Sequence, residues 1–132
     1  MASLDVHLVT PEREVWSGPA QMVVAHGVEG DVGILPGHAP MLIRLAVSPL
    51  RIQHEDGYWE VSVVDGGFLH VTTGEEGTRV DVFASGAELE TEIDRDAARA
   101  RVTELEARLQ QGDDDAVRDE LDRARARVGS SD

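Results

Sequence analysis

Five histidines, His7, His26, His38, His54 and His70, are the first side chains to weigh for chemistry, because imidazole ligates metals and moves protons near neutral pH. None lies two or four residues from another, and no His-Glu-x-x-His occurs, so they read as scattered strand and surface residues. Carboxylates come in pairs (Glu12/Glu14, Glu29/Asp31, Glu55/Asp56, Glu75/Glu76), the residue type a glycosidase uses for acid–base work. Each pair sits in or beside a turn signal, where solvated charge is the ordinary expectation. Gly27-x-x-Gly30-x-x-Gly33 lacks the G-x-G-x-x-G spacing, and Ile34-Leu35-Pro36-Gly37 follows it where a phosphate-cradling helix would have to start. No serine stands in a G-x-S-x-G elbow. The expectation is a protein with no catalytic residue, no metal ligands and no cofactor.

Composition narrows the class further. The chain has 132 residues, 41% apolar and 29% charged, enough for one domain with a small appendage and a packed core. Its net charge of −14 disfavours partners that are themselves phosphate-rich, so no nucleic acid is expected. All 12 bases are Arg; without Lys there is no P-loop lysine and no Schiff-base chemistry. Without Cys there is no disulfide framework, thiolate nucleophile or cysteine zinc site. Arg118, Arg123, Arg125 and Arg127 alternate with Asp119, Glu120 and Asp122. They form either a solvated helix face laced with ion pairs or a basic strip aimed at an acidic partner. The N-terminus has no apolar signal segment, and no apolar run approaches the roughly 20 residues of a membrane span, so a soluble, cytoplasmic chain without direct membrane insertion is expected.

Two periodicities organise these residues. Leu4, Val6 and Leu8 alternate with Asp5 and His7, and similar short runs follow near 14–17, 20–26, 41–46, 49–54, 57–64, 67–72 and 78–83. In the run 57–64, Trp59, Val61 and Val63 share one face and Tyr58, Glu60 and Ser62 the other. Turn signals separate the runs, among them Gly27–Asp31, Leu35–His38, Glu55–Gly57, Asp65–Gly67 and Thr73–Gly77. The pattern is that of a β-sandwich or barrel.

Past Gly86 the period changes. Ala98, Val102, Leu105 and Leu109 recur at 4-3-4 spacing, and Val117, Leu121, Ala124 and Val128 repeat it after Gly112. Thr91-x-x-Asp94 reads as an approximate capping box for the first helix, and Asp113, Asp114 and Asp115 suit the positive end of the second. One apolar stripe on each helix and a short Gly-containing connection predict an antiparallel helical hairpin. The expected domains are residues 1–86, the sandwich, and 87–132, the hairpin.

Several segments together carry a family likeness. Val9-Thr10-Pro11-Glu12 with Val15-Trp16-Ser17-Gly18 resembles the opening strands of the epsilon subunit of F-type ATP synthases. The stretch from Gly27 to Leu42 (GVEGDVGILPGHAPML) resembles that family's most recognisable segment. Leu50-Arg51-Ile52, Asp65-Gly66-Gly67-Phe68-Leu69-His70-Val71 and Glu92-Ile93-Asp94 follow in the same order. The likeness covers residues 4–100 closely and the last thirty by architecture.

The resemblance implies an α+β chain: an N-terminal antiparallel β-sandwich of about ten strands followed by a C-terminal antiparallel two-helix hairpin. It implies a non-catalytic central-stalk subunit at the cytoplasmic face of a bacterial membrane, tying the gamma shaft to the c-ring and coupling proton flow to ATP synthesis. On that reading Glu29, Gly30 and Asp31 meet the c-ring and His38 meets gamma. Arg118, Arg123, Arg125 and Arg127 of an extended hairpin meet the catalytic subunits and restrain ATP hydrolysis. Relatives that bind ATP in the hairpin carry Ile/Leu-Asp-x-x-Arg-Ala; here Ile93-Asp94-Arg95-Asp96 runs into Ala97-Ala98, and Arg99 lies two positions late, about 200° around the helix. Nucleotide binding is therefore expected to be weak or absent. A free-standing ligand-binding sandwich with a coiled-coil dimerisation tail is the alternative.

Overall fold

The structure, a computed structural model, describes residues 3–129; the outermost residues of the two expected domains, 1–2 and 130–132, lie outside them. Eight strands come first: β1 (Leu4–Val9), β2 (Glu14–Ala20), β3 (Met22–Gly27), β4 (Gly30–Ile34), β5 (Met41–Gln53), β6 (Trp59–Gly74), β7 (Gly77–Ala84) and β8 (Ala87–Leu89). A 3-10 turn at Glu90–Glu92 leads into α1 (Arg95–Gln111) and α2 (Asp115–Val128).

The strands form one continuous path, β2-β1-β7-β6-β5-β3-β4, with β8 added on β6. All ladders are antiparallel except β1 with β7, which run parallel; the long chain between them makes that crossover possible. The path folds back on itself within β5 and β6. In β5 the buried side chain is Leu45 before the fold and Ser48, Leu50 and Ile52 after it; in β6 they are Ser62 and Val64 before it and Leu69 and Val71 after. Inward parity thus changes in both strands where the Ala46/Gly66 step drops out of the ladder. Counted across that fold, the two long strands supply two segments each, giving two five-stranded layers. The first holds β2, β1, β7 and the halves of β6 and β5 around Leu69 and Ile43. The second holds β8, the other halves, β3 and β4. One core joins them, with Leu4, Val6, Leu8, Leu69, Val80 and Val82 of the first against Val23, Ile34, Leu50, Ile52 and Val64 of the second.

The order of strands departs from the sequence expectation at particular places. The runs 41–46 and 49–54 are one strand, as are 57–64 and 67–72, because Gly66 and Gly67, both at positive φ, bend the ladder without ending it. β4 and β8 had no run of their own. The inward face of 57–64 is also reversed: Ser62, fully buried, faces the core with Val64, and its hydroxyl donates to the Glu88 carbonyl at 2.9 Å. Val63 points the other way and is buried all the same, because α2 packs on β5 and β6 from outside.

The hairpin closes on its own seam. Leu105, Leu121 and Ala124 are buried, with Val102, Leu109 and Val117 packed around them. Each Leu buried there contributes ~1.5–3 kcal/mol. Asp94, not Thr91, is the cap of α1, its carboxylate accepting from the Ala97 amide at 3.0 Å; Asp114 caps α2 in the same way through Ala116. Glu92 instead accepts from the Leu89 amide and so closes the 3-10 turn.

Candidate functional site

The tip of the β3–β4 hairpin is a two-residue turn, Val28-Glu29, closed by the Gly27–Gly30 pair. Gly27 is required by a close approach, since a Cβ there would sit 2.9 Å from the Gly30 carbonyl oxygen. The Val28 amide donates to the Arg44 carbonyl, which leaves the Val28 side chain 55% exposed beside Leu42, 65% exposed. Glu29 and Gly30 are exposed at this tip. Asp31 is exposed too but engaged, accepting from Nδ1 of its cross-strand partner His26 at 2.7 Å. Arg51 can only donate, and its approach to His26 Nε2 at 3.4 Å matches the neutral tautomer with the proton on Nδ1.

His38 lies past the other end of β4. Its amide donates to Leu35 and its Nδ1 to the Ala39 carbonyl, while its own carbonyl accepts from Thr73 at 2.6 Å. Gly37 in turn donates to the Thr78 hydroxyl, so the loop is tied to the β6–β7 end of the first layer. The structure therefore does not bring Glu29–Asp31 and His38 together. A five-residue strand, about 17 Å long, separates the two places.

The outer face of the first layer carries a feature that the sequence reading missed. Arg44, Phe68, Phe83 and Val9 form one row across four strands, and Leu42, His70, Asp81 and His7 the next. Phe68 is 46% and Phe83 51% exposed. The available signal was that both Phe residues occupy positions that alternation assigns to the solvent side, Phe68 directly before the buried Leu69 and in phase with His70, and Phe83 between the buried Val82 and Ala84. The second layer shows the opposite treatment. α2 packs on its β5 and β6 strands, and a shallow cleft there is lined by Val47, Pro49 and Arg51 of β5 with Ala126 and Gly129.

The four arginines of α2 do not form one strip. Arg118 pairs with Asp113 at 2.6 Å and Arg125 with Glu106 at 3.7 Å, both largely exposed. Arg123, half-buried, lines a cleft with Asp65, Arg101 and Glu120. Arg127 turns inward to Asp65 and Glu88. Burial pulls its pKa down, but the hydrogen bonds to Asp65 and Glu88 more than offset that and hold it above the ordinary arginine value. Arg101, hydrogen-bonded to Glu104 and Glu120, joins α1 to α2 and is likewise held up. Among the described residues no group of three His, Asp or Glu side chains is placed to hold a metal ion, and no helix is long and apolar enough to cross a membrane.

Comparison with known proteins is consistent across methods. A family model described as the β-sandwich domain of the ATP synthase delta/epsilon chain matches residues 3–90. The chain is similar to the ATP synthase epsilon chain of Thermobifida fusca (45% identity over 127 residues, 95% of this chain and 89% of that one). It is also similar to the ATP synthase epsilon chain of Streptomyces coelicolor (40% over 128 residues, 97% and 98%). Among solved structures, a chain of the Euglena gracilis mitochondrial ATP synthase (OSCP, F1 and c-ring, rotational state 1) superposes with a TM-score of 0.76 at 28% identity, covering 94% of this chain and 76% of that one.

Proposed function

The chain belongs to the ATP synthase delta/epsilon-chain family, and from that premise we propose how its surfaces are used. It is a non-catalytic epsilon subunit of an ATP synthase. In our reading it sits in the central stalk between the gamma shaft and the c-ring and transmits the rotation that proton flow drives. It is held at the membrane peripherally, through the complex, on the cytoplasmic face of a bacterial cell.

The layering supports this reading best. The hairpin covers the β5 and β6 part of the second layer, while the first leaves the cross-strand pair Phe68 and Phe83 open in an otherwise strongly acidic protein. A cross-strand pair of half-exposed aromatics is the kind of patch that partner surfaces cover. We assign that face, with His38 at its edge, to gamma. The Val28–Glu29 tip, with Gly30 and Asp31 at the start of β4, lies at the opposite end of that strand from His38, and we assign it to the c-ring loops. β4 then spaces this tip from His38, while Val28 adjoins the Arg44 end of the aromatic row.

The division of the chain follows as part of the proposal. The sandwich is the stalk unit and the hairpin the regulatory one, with the boundary in the 90–94 connection, since β8 is part of the sheet. Released from the sandwich, α2 would present Arg118, Arg123, Arg125 and Arg127 to an acidic stretch of the catalytic subunits and restrain hydrolysis. No nucleotide is assigned to the hairpin. Asp94 already spends a carboxylate oxygen on capping α1, and Ala97 supplies no guanidinium beside it.

The alternative, a free-standing sandwich with a dimerisation tail, is separated by one experiment. Tagged at its N-terminus and purified from its own cells, the chain should bring down a membrane-associated ATPase containing gamma and c. Recovery as a lone monomer or dimer would favour the alternative.

A further inference from the structure

Three cations on α2 make ordinary exposed pairs or line an open cleft; the fourth is treated differently. The Arg127 side chain is 16% exposed and that of Asp65 13%, against 55% and 51% for Arg125 and Glu106. Nη1 and Nη2 donate to the two oxygens of Asp65 at 2.7 and 2.9 Å, and Nε donates to Glu88. Nη1 also donates to the Arg123 carbonyl at 3.0 Å, which fixes the guanidinium to the last turn of its own helix.

Both carboxylates stand on rigid backbone. The Asp65 amide donates to the Gly86 carbonyl at 2.8 Å. A Cβ at Gly86 would lie 2.6 Å from Asp65 Oδ2, so a glycine there is what admits the carboxylate. Glu88 is paired with Val63 in the β6–β8 ladder.

The apolar contacts are distributed differently. The sandwich core and the hairpin seam are two separate clusters, and neither shares a buried member with the other. The hairpin can therefore leave the sandwich without opening its own seam. What has to break is the ion cluster, together with the packing of α2 over Val63.

We propose that Arg127, gripped by Asp65 and Glu88, is the lock that sets the hairpin's resting position, and that undoing it frees the hairpin as an intact unit. The proposal rests on the reading of the hairpin as a movable regulatory arm. It assigns Arg127 two exclusive uses, since a guanidinium held against Asp65 and Glu88 of the sandwich cannot at the same time reach another subunit. Removing one member of a largely buried ion cluster costs more than losing an exposed pair.

The test uses the full-length protein, whose lack of cysteine allows two labels to be placed cleanly. Spin labels at Asp56→Cys and Asp119→Cys report the distance between sandwich and α2. Arg127→Ala and, separately, the near-isosteric Asp65→Asn should raise the ratio of released to docked hairpin at least tenfold, with helical circular dichroism unchanged. Arg127→Lys, which keeps charge but loses the two-pronged geometry, should fall between. Arg125→Ala, on the same helix, should leave the distribution as it was. A wild-type distribution in both Arg127→Ala and Asp65→Asn would overturn the lock, as would an equal shift in Arg125→Ala. ATP hydrolysis by the assembled enzyme separates the two ideas. Released hairpins without a change in hydrolysis leave the lock standing and remove the regulatory reading; an unmoved hairpin removes the lock whatever hydrolysis does.

Discussion

Gly67 on β6 lies flat against the backbone of Phe83 on β7. A Cβ at Gly67 would overlap the Phe83 carbonyl oxygen and come within 2.8 Å of Ala84 Cα. Its φ of +128° adds backbone strain for any other residue. This contact lies where the sheet path folds from one layer to the other, so it fixes the sandwich and, through Phe68 and Phe83, the open aromatic face.

Gly67→Ala should therefore cost roughly 3 kcal/mol or more of stability, through strain and overlap together. Gly57→Ala, also at positive φ but with open space around the Cβ, should cost less. Urea unfolding of both variants checks the order; equal losses would mean that overlap at the fold contributes nothing.

A chain ending at Ile93 should unfold cooperatively without the hairpin, and one ending at Gly86 should be clearly weaker. The second removes β8 and leaves the buried Ser62 hydroxyl without its acceptor, the Glu88 carbonyl, at a cost of about 1–3 kcal/mol. Matching midpoints for the two chains would show that β8 is dispensable.

The Arg13–Glu92 pair ties the β1–β2 connection to the turn after β8 at 2.8 Å. Its hydrogen bond from Arg13, and then that from the Leu89 amide, hold the Glu92 carboxyl below its ordinary value of 4.5. A depressed folded-state pKa adds stability that is present above 4.5 and is lost as pH falls through the lower folded value. Wild type should therefore be slightly more stable than Glu92→Gln at pH 7, and the gap should close as pH falls below 4.5. A gap independent of pH would contradict the assignment.

Deleting residues 94–132 should raise ATP hydrolysis by the assembled enzyme and leave proton-driven synthesis largely intact, because the sandwich contacts remain. Replacing Arg118, Arg123 and Arg125 with Ala should have part of that effect and lose its salt sensitivity, as exposed charges screened over about 8 Å do. Unchanged hydrolysis with assembly confirmed would leave the hairpin without a regulatory role.

These expectations draw unequally on sequence. The seam Leu105–Leu121–Ala124 was legible because 4-3-4 spacing specifies one helical face, and β1 because Leu4, Val6 and Leu8 alternate cleanly. β4 was not, since Gly30 and Gly33 mimic a turn, and β8 is too short to show a period. The face of Trp59–Val64 was misjudged because Ser62, Val63 and Val64 are all buried, so the end of that stretch is covered on both sides, one by the sandwich and one by α2. Sequence groups Arg127 with Arg118, Arg123 and Arg125 as one basic strip, with nothing to set it apart. Its partner lies 62 positions away, and nothing in local spacing records such a contact. The tip at Glu29–Asp31 and the loop at His38 were located by resemblance, and their separation by β4 became visible only in the fold.

The placement between shaft and ring is tested most directly by crosslinking in the assembled enzyme. Asp31→Cys should crosslink to subunit c and His38→Cys to gamma, each in high yield and neither to the other's partner. Crosslinks to neither subunit, or both cysteines reaching the same one, would contradict the account.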